Sequence, residues 1–237
     1  MYNSNLPVFL LNTFVLYLYI MHLVKYRRPL NKDQIHLINL FYKFRYINTR
    51  QLTEYLGKNP RIINGRLNIL LDQGYIDRFY DKSYKLKGKP AIYYLLPKSL
   101  SFLRTQPYFN HYAIFIHYRN KASSKALINH YIKVFDIYQE LKDKYKYDRF
   151  ITKIELARKL ELNEILPDLL IIKPNNQRSG VIYISKLLRK RNINNYIQNL
   201  VDSYRYNQLI IYSSDSKIIN LLNYKYGDNP IIHHKKM

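Results

Sequence analysis

Cysteine is absent from the 237 residues, which excludes disulfides, thiolate zinc sites and a cysteine nucleophile. A reducing compartment is compatible with this and not demanded by it. Glycine is scarce, at six, and so are acids, at sixteen Asp plus Glu. The chain has no glycine-rich phosphate loop, nucleophilic triad, internal repeat or low-complexity tract. What it has in excess is positive charge: 39 Lys plus Arg leave a formal charge of +23. Abundant Lys, Asn, Ile and Tyr match AT-rich coding, but AT-rich codons also encode Asp and Glu. The shortage of acids therefore has another origin, and a polyanionic partner is expected. With 47% hydrophobic residues the chain can bury one large core or two small ones, and the patterning favours two.

Residues 1–28 stand apart as an apolar N-terminal segment. From Leu6 to Val24 the run is broken only by Pro7, Asn12, Thr13 and His22, and Lys25, Arg27 and Arg28 follow it. Its length reaches the minimum for a membrane span, and the basic flank would keep the rest cytoplasmic. A secretory signal fits poorly, since no charge precedes the run and no small-residue cleavage site follows. Three readings stay open: a membrane anchor, a hydrophobic helix packed on the body, or upstream sequence ahead of a start at Met21.

Residues 29–104 carry the pattern of a winged helix-turn-helix. Asn31 caps a first helix whose apolar face is Ile35, Leu37, Ile38, Leu40 and Phe41. Asn48 to Gly57 opens on a capping side chain and stops at glycine, as a short second helix does. Asn59-Pro60 starts a third, ended by Gly74, with Ile62, Ile63, Leu67, Leu70 and Leu71 inward and Arg61, Asn64, Arg66 and Asn68 outward. Tyr75–Tyr80 and Ala91–Leu96 read as strands, and the link Asp81–Pro90 holds Lys82, Lys85, Lys87 and Lys89 around Gly88 as a basic wing. The expected interface is double-stranded DNA. The third helix would enter the major groove with Arg61 and Arg66 reaching base edges, and the wing lysines and Arg50 would add positive contacts.

Pro97–Arg104 reads as a short helix and 105–124 as a linker. From 125 to 237 the order is a helix at Ala126–Lys144, strands at Phe150–Glu155, Asp168–Lys173 and Val181–Ser185, a helix at Asn194–Tyr206, a strand at Gln208–Tyr212 and a helix at Lys217–Tyr224. The core of this is αβββαβ, with apolar runs suited to a sheet covered on at least one face. The expected class is α+β or α/β.

Leu40–Leu52, Gly74–Arg78, Tyr93–Lys98, Asn129-His130 and Leu166-Pro167-Asp168 together resemble the replication-relaxation proteins of plasmids and other mobile elements, over roughly Asn31 to Tyr212. The resemblance implies a winged helix joined to a restriction-endonuclease-like, PD-(D/E)xK domain. It also implies a cytoplasmic, nucleoid- or plasmid-associated protein, membrane anchoring through residues 6–24 being the alternative. Replication or mobilisation proteins are the implied partners beside DNA, and a homodimer stays open. Such a nuclease holds Mg²⁺ or Mn²⁺ on carboxylates beside a lysine. Asp168 matches the family aspartate, Glu155 offers a second acid, and His130 matches the helix histidine. Where an acid, any residue and a lysine should stand, the chain has Ile184-Ser185-Lys186. The lysine remains and the carboxylate does not. The expected outcome is no cofactor and a degenerate nuclease domain, with metal-dependent nicking through Asp168, Glu155, Lys186 and His130 as the alternative, and Glu161 or Glu164 able to migrate in. Lys186, Arg189, Lys190 and Arg191 would then offer a second basic surface to DNA. His111, His117 and the pair His233-His234 carry no metal signature of their own.

Overall fold

A computed structural model describes residues 29–106, 109, 111–145, 148–157, 166–185, 190–204 and 206–237. The apolar run 6–24 lies outside the described residues; among those described, no helix is long and apolar enough to cross a membrane. The chain divides into a unit ending at Ile35 and a compact unit His36–Met237. The stretch 105–124, expected as a linker, carries a helix with fully buried Ala113 and Ile114 inside that second unit.

Helix α1 (Lys32–Phe44) begins with a reciprocal box: Asn31 Oδ1 accepts from the Gln34 amide and Gln34 Oε1 from the Asn31 amide, both at 2.9 Å. Strand β1 (Ile47–Asn48), too short to carry a sequence period, precedes α2 (Thr49–Leu56). Asn48 and Gln51 form a second box at the start of α2, and Gly57 closes it at φ 58°, a left-handed position that glycine adopts without a Cβ clash. Helix α3 (Pro60–Asp72) starts at the Asn59 cap with Pro60 in its first turn and buries Ile63, Leu67 and Leu70. Ile62 was expected inward and is 50% exposed. At 3.6 residues per turn it sits about a quarter turn off the narrow stripe that Ile63, Leu67 and Leu70 define.

Strands β2 (Ile76–Phe79) and β3 (Ile92–Leu95) form an antiparallel sheet with β1 in the order β1-β3-β2, with Tyr93 opposite both Ile47 and Arg78. The wing between β2 and β3 is more than a loop. Asp81 caps a short helix there, α4 (Lys82–Leu86), by accepting from the Tyr84 amide. Helix α5 (Pro97–Arg104) completes the winged helix, and its Lys98 ammonium donates to the Gln73 carbonyl at the end of α3.

Helix α6 (His111–His117) leads to α7 (Lys125–Lys144), capped by Ser124. Helix α7 is shared by the winged helix and the C-terminal sheet. Toward the winged helix, Ile128 packs with Tyr46 and Tyr94, and Phe135 meets Phe44 edge-on at 4.8 Å. Gln51 closes this contact, donating to the Ile132 carbonyl at 2.8 Å and to Asp136 at 2.6 Å while its Oε1 caps α2. Gln51→Ala therefore removes the reciprocal half of the capping box and two side-chain hydrogen bonds to α7. A loss of about 2–3 kcal/mol in urea unfolding is the expected result.

The C-terminal sheet runs β4 (Arg149–Thr152), β5 (Leu169–Ile172), β6 (Arg178–Ile184), β7 (Gln208–Ser213), β8 (Ile232–Lys236). The first three pair antiparallel; β6–β7 and β7–β8 are parallel, with α9 (Lys190–Tyr204) and α10 (Ser216–Tyr226) between them in sequence. Ile182, Ile184, Leu209 and Ile211 share a core with Ile193 and Ile197 of α9 and Leu222 of α10. On the opposite face, Tyr183 lies against His130 of α7 and the Tyr212 hydroxyl donates to Glu140 of α7.

The order αβββαβ is observed, with corrected boundaries. The strand expected over Phe150–Glu155 stops at Thr152, because Thr152 and Glu155 form a capping box that starts the short α8 (Lys153–Leu156). Strand β6 begins three residues earlier than expected. The polar edge strand β8, which adds a further parallel strand, carries too many charges to read as one.

Candidate nucleic-acid interface

Two sets of polar side chains stand out on the fold: the outer face of α3 with the wing, and the acids of the C-terminal sheet.

On α3, burial of Ile63, Leu67 and Leu70 fixes the helix rotation and leaves Arg61, Asn64 and Asn68 exposed. Arg66, expected fully outward, is half-buried and has a partner. Across from α3, the wing exposes Lys82, Lys85, Lys87 and Lys89, with Gly88 at φ 59° letting the chain turn back toward β3. Leu86 projects 88% exposed among these lysines. Between helix and wing is an open cleft of about 350 Å³ lined by Thr49, Asn64, Asn68, Arg78, Tyr80 and Lys89 among others. Arg78 and Tyr80 went unnoticed in the sequence. Their signal was the two-residue spacing that sets Arg78 and Tyr80 on one face of the strand; Arg78 is exposed there and its guanidinium sits 5.5 Å from the Tyr80 ring.

The acids near this cleft serve the fold. Asp77 accepts from the Tyr94 hydroxyl and the Arg78 amide, and Asp81 from Ser83 and the Tyr84 amide. Arg50, on α2, is exposed and paired with Glu54 at 2.7 Å. It is the weakest of the expected contacts, since its guanidinium already has a carboxylate.

Asp168 is buried at the head of β5. Its Oδ1 lies 2.9 Å from His130 Nε2, and its Oδ2 accepts from the Tyr183 amide at 2.8 Å. An ionised carboxylate only accepts, so Nε2 is the donor. Burial by itself would raise the Asp168 carboxyl. The charge and hydrogen bond of His130, then Lys153 and the Tyr183 amide, outweigh it and hold the group below its ordinary range. Such a carboxyl stabilises the fold above its unfolded value, and that contribution is lost as pH falls through the lower folded value. Asp168→Ala leaves the Tyr183 amide unpaired inside the sheet, and about 2–4 kcal/mol should be lost in urea unfolding at neutral pH.

Glu155 does not join Asp168. Its Oε2 accepts from the Thr152 amide and hydroxyl, and its Oε1 lies 2.9 Å from Lys43 Nζ on α1. A hard divalent cation is held by carboxylate oxygens free to face it. Here all four oxygens of the two acids already have donors, so this pair does not fit Mg²⁺ or Mn²⁺ as placed. Among the described residues no three His, Asp or Glu side chains gather as a metal site. Lys186, Arg189, Glu161 and Glu164 lie outside the described residues, as do the side chains of Lys190, Arg191 and His111. His117 is buried, and His233 and His234 lie on β8.

No protein-family model matches the chain, and no curated protein matches it. Among solved structures it is similar to the crystal structure of Streptococcus pneumoniae FabT in complex with DNA, at TM-score 0.30 and 19% identity, covering 56% of this chain and 94% of that one.

Proposed function

We propose that the chain is a sequence-directed double-stranded DNA-binding protein, in which α3 enters the major groove and the wing holds the flanking backbone. The observation that carries this reading is the cleft between α3 and the wing, lined with amide and cationic donors from Asn64, Asn68, Arg78 and Lys89. Exposed Arg61, Asn64 and Asn68 supply the group types that read base edges, Arg to guanine and Asn to adenine. The lysines supply sequence-independent charge. Selection from random duplexes tests the reading directly: an enriched motif supports it, and retention without any sequence preference removes the specificity half.

The resemblance to replication-relaxation proteins supports a role in replication or mobilisation of a plasmid or mobile element, in a cytoplasmic, plasmid-associated setting. The C-terminal domain then acts as a second DNA surface, with Lys186, Arg189, Lys190 and Arg191, or as a platform for replication or mobilisation proteins; a homodimer would read a two-fold site. A metal-dependent nicking enzyme is the second reading, favoured by the αβββαβ order; it requires Asp168 and Glu155 to leave their present donors and turn toward a cation. Incubation with supercoiled plasmid, with and without Mn²⁺, separates the two. Salt-sensitive retention of intact plasmid is expected. Nicking abolished by Asp168→Ala would replace binding by catalysis. A motif recovered as a palindrome beside the protein's own promoter would instead favour a transcriptional regulator.

A further inference from the structure

A larger cavity, about 770 Å³, opens where the end of α1 meets α6 and the start of α7. Its size falls within the range of small-molecule pockets, about 300–1,000 Å³. Phe115, Ile116, Tyr118 and Leu127 give it apolar walls, and Arg45, Arg119, Ser123 and Ser124 give it polar ones.

Arg45 is the unusual member. It is 5% exposed, its backbone is left-handed at φ 58°, and its guanidinium cannot be neutralised. Nε and Nη2 donate to Asn120 Oδ1 at 3.1 and 3.0 Å, and Nη2 to the Ile116 carbonyl at 3.2 Å. The Tyr46 and Tyr131 rings flank it at 5.4 and 5.0 Å. Every one of these acceptors is neutral. Among the described residues Arg45 has no carboxylate partner and Nη1 has no partner at all. A buried cation left without an anion is costly, and folds normally place a carboxylate against it. The first turn of α7, a helix of 20 residues, adds positive potential, since Ser124 is its cap and Leu127 its third residue.

We infer that this cavity binds a small amphiphilic monocarboxylate, its headgroup taken by Arg45 with Arg119 at the rim and its apolar body held between Phe115, Tyr118 and Leu127. A phosphate dianion fits less well, because the buried cation is single and most of its donors are used. The inference is independent of the DNA reading, since binding is measured without DNA.

Isothermal titration of the full chain with sodium octanoate and with sodium benzoate distinguishes a fatty acid from an aromatic one, and octanamide controls for apolar contact alone. Saturable binding of at least one carboxylate is expected, with octanamide at least about tenfold weaker. Leu127→Glu provides the decisive variant. Leu127 is 37% exposed, and glutamate three residues after the Ser124 cap completes a capping box, so the unliganded melting temperature should hold or rise. The same carboxylate at the cavity wall should weaken carboxylate binding at least about tenfold. Arg45→Gln should weaken it as well, but this buried position is also structural, so Leu127→Glu decides. Absence of saturable binding for both acids, octanamide binding as tightly as octanoate, or unchanged binding in Leu127→Glu would each overturn the site.

Discussion

Alanine at Lys82, Lys85, Lys87 and Lys89 together should weaken binding to every duplex by about a hundred- to a thousandfold near 0.2 M salt, and make the slope of log affinity against log salt shallower by about three to four. All four side chains are exposed on α4 and the loop that follows it, so the substitutions leave the core untouched. Melting temperature should barely move. The loss is expected to be uniform across sequences, because lysine on phosphate carries no base information. Asn64→Ala and Arg61→Ala should behave differently. Each would cost about 1–3 kcal/mol on the preferred site and much less on unrelated DNA, relaxing preference at one position of the motif. Fluorescence anisotropy on specific and scrambled duplexes across a salt series reads both effects. If the quadruple variant retains the parental affinity and slope, the wing is not in contact with the backbone and the docking mode is wrong.

Acidification from pH 7 to about 4.5 should remove roughly 2–3 kcal/mol of stability through His117 alone. His117 sits on the last turn of α6, 1% exposed, with its ring 5.5 Å from that of Tyr42 and its Nδ1 3.2 Å from the Asn120 side-chain nitrogen. Burial, and after it the charge of Arg45, push its pKa down to about 3, against a smaller opposite pull from the Tyr42 backbone. The unfolded chain takes up this proton near pH 6.5, the folded chain only near 3. Throughout that interval the unfolded state binds more protons, so stability falls as pH falls, by up to about 1.4 kcal/mol per unit. Asp168 adds to the loss only near and below its unfolded value of about 3.9, so the interval from pH 7 to about 4.5 reports His117 and the two overlap only below it. Urea midpoints at pH 7 and 4.5 should converge in His117→Gln, which keeps a hydrogen-bonding side chain but does not titrate in this range. An equally steep loss in that variant would assign the acid sensitivity to other groups.

Much of the winged helix could be read directly because its signals are local. Asn48 with Gln51, Asn59 with Pro60, and Gly57 are caps that act within a few residues, and the stripe Ile63, Leu67, Leu70 repeats at helical spacing. Ile62 was misplaced for the converse reason: in a run of apolar residues the period alone does not say how wide the buried stripe will be. The strand expected at Glu155 yielded to a capping box whose letters were visible at Thr152 but compete with a β-branched run. Strand β8, with the sequence Ile232-His233-His234-Lys235-Lys236, had no apolar alternation to announce it. It exists because β7 presents an edge for parallel pairing.

The sequence by itself determined the cationic excess, the cysteine-free chemistry, the helix caps and the apolar periods, since each depends only on residue type and near neighbours. Tertiary structure alone decided where the polar groups are used. It sent Glu155 to Lys43 and Asp168 to His130 and the Tyr183 amide, joined Gln51 to Asp136, and buried Arg45 beside an open cavity with no carboxylate against it among the described residues. These pairings span 38 to 85 residues in Asp168–His130 and Gln51–Asp136. Their energies follow from desolvation and hydrogen-bond geometry, which take values only once distant segments have packed.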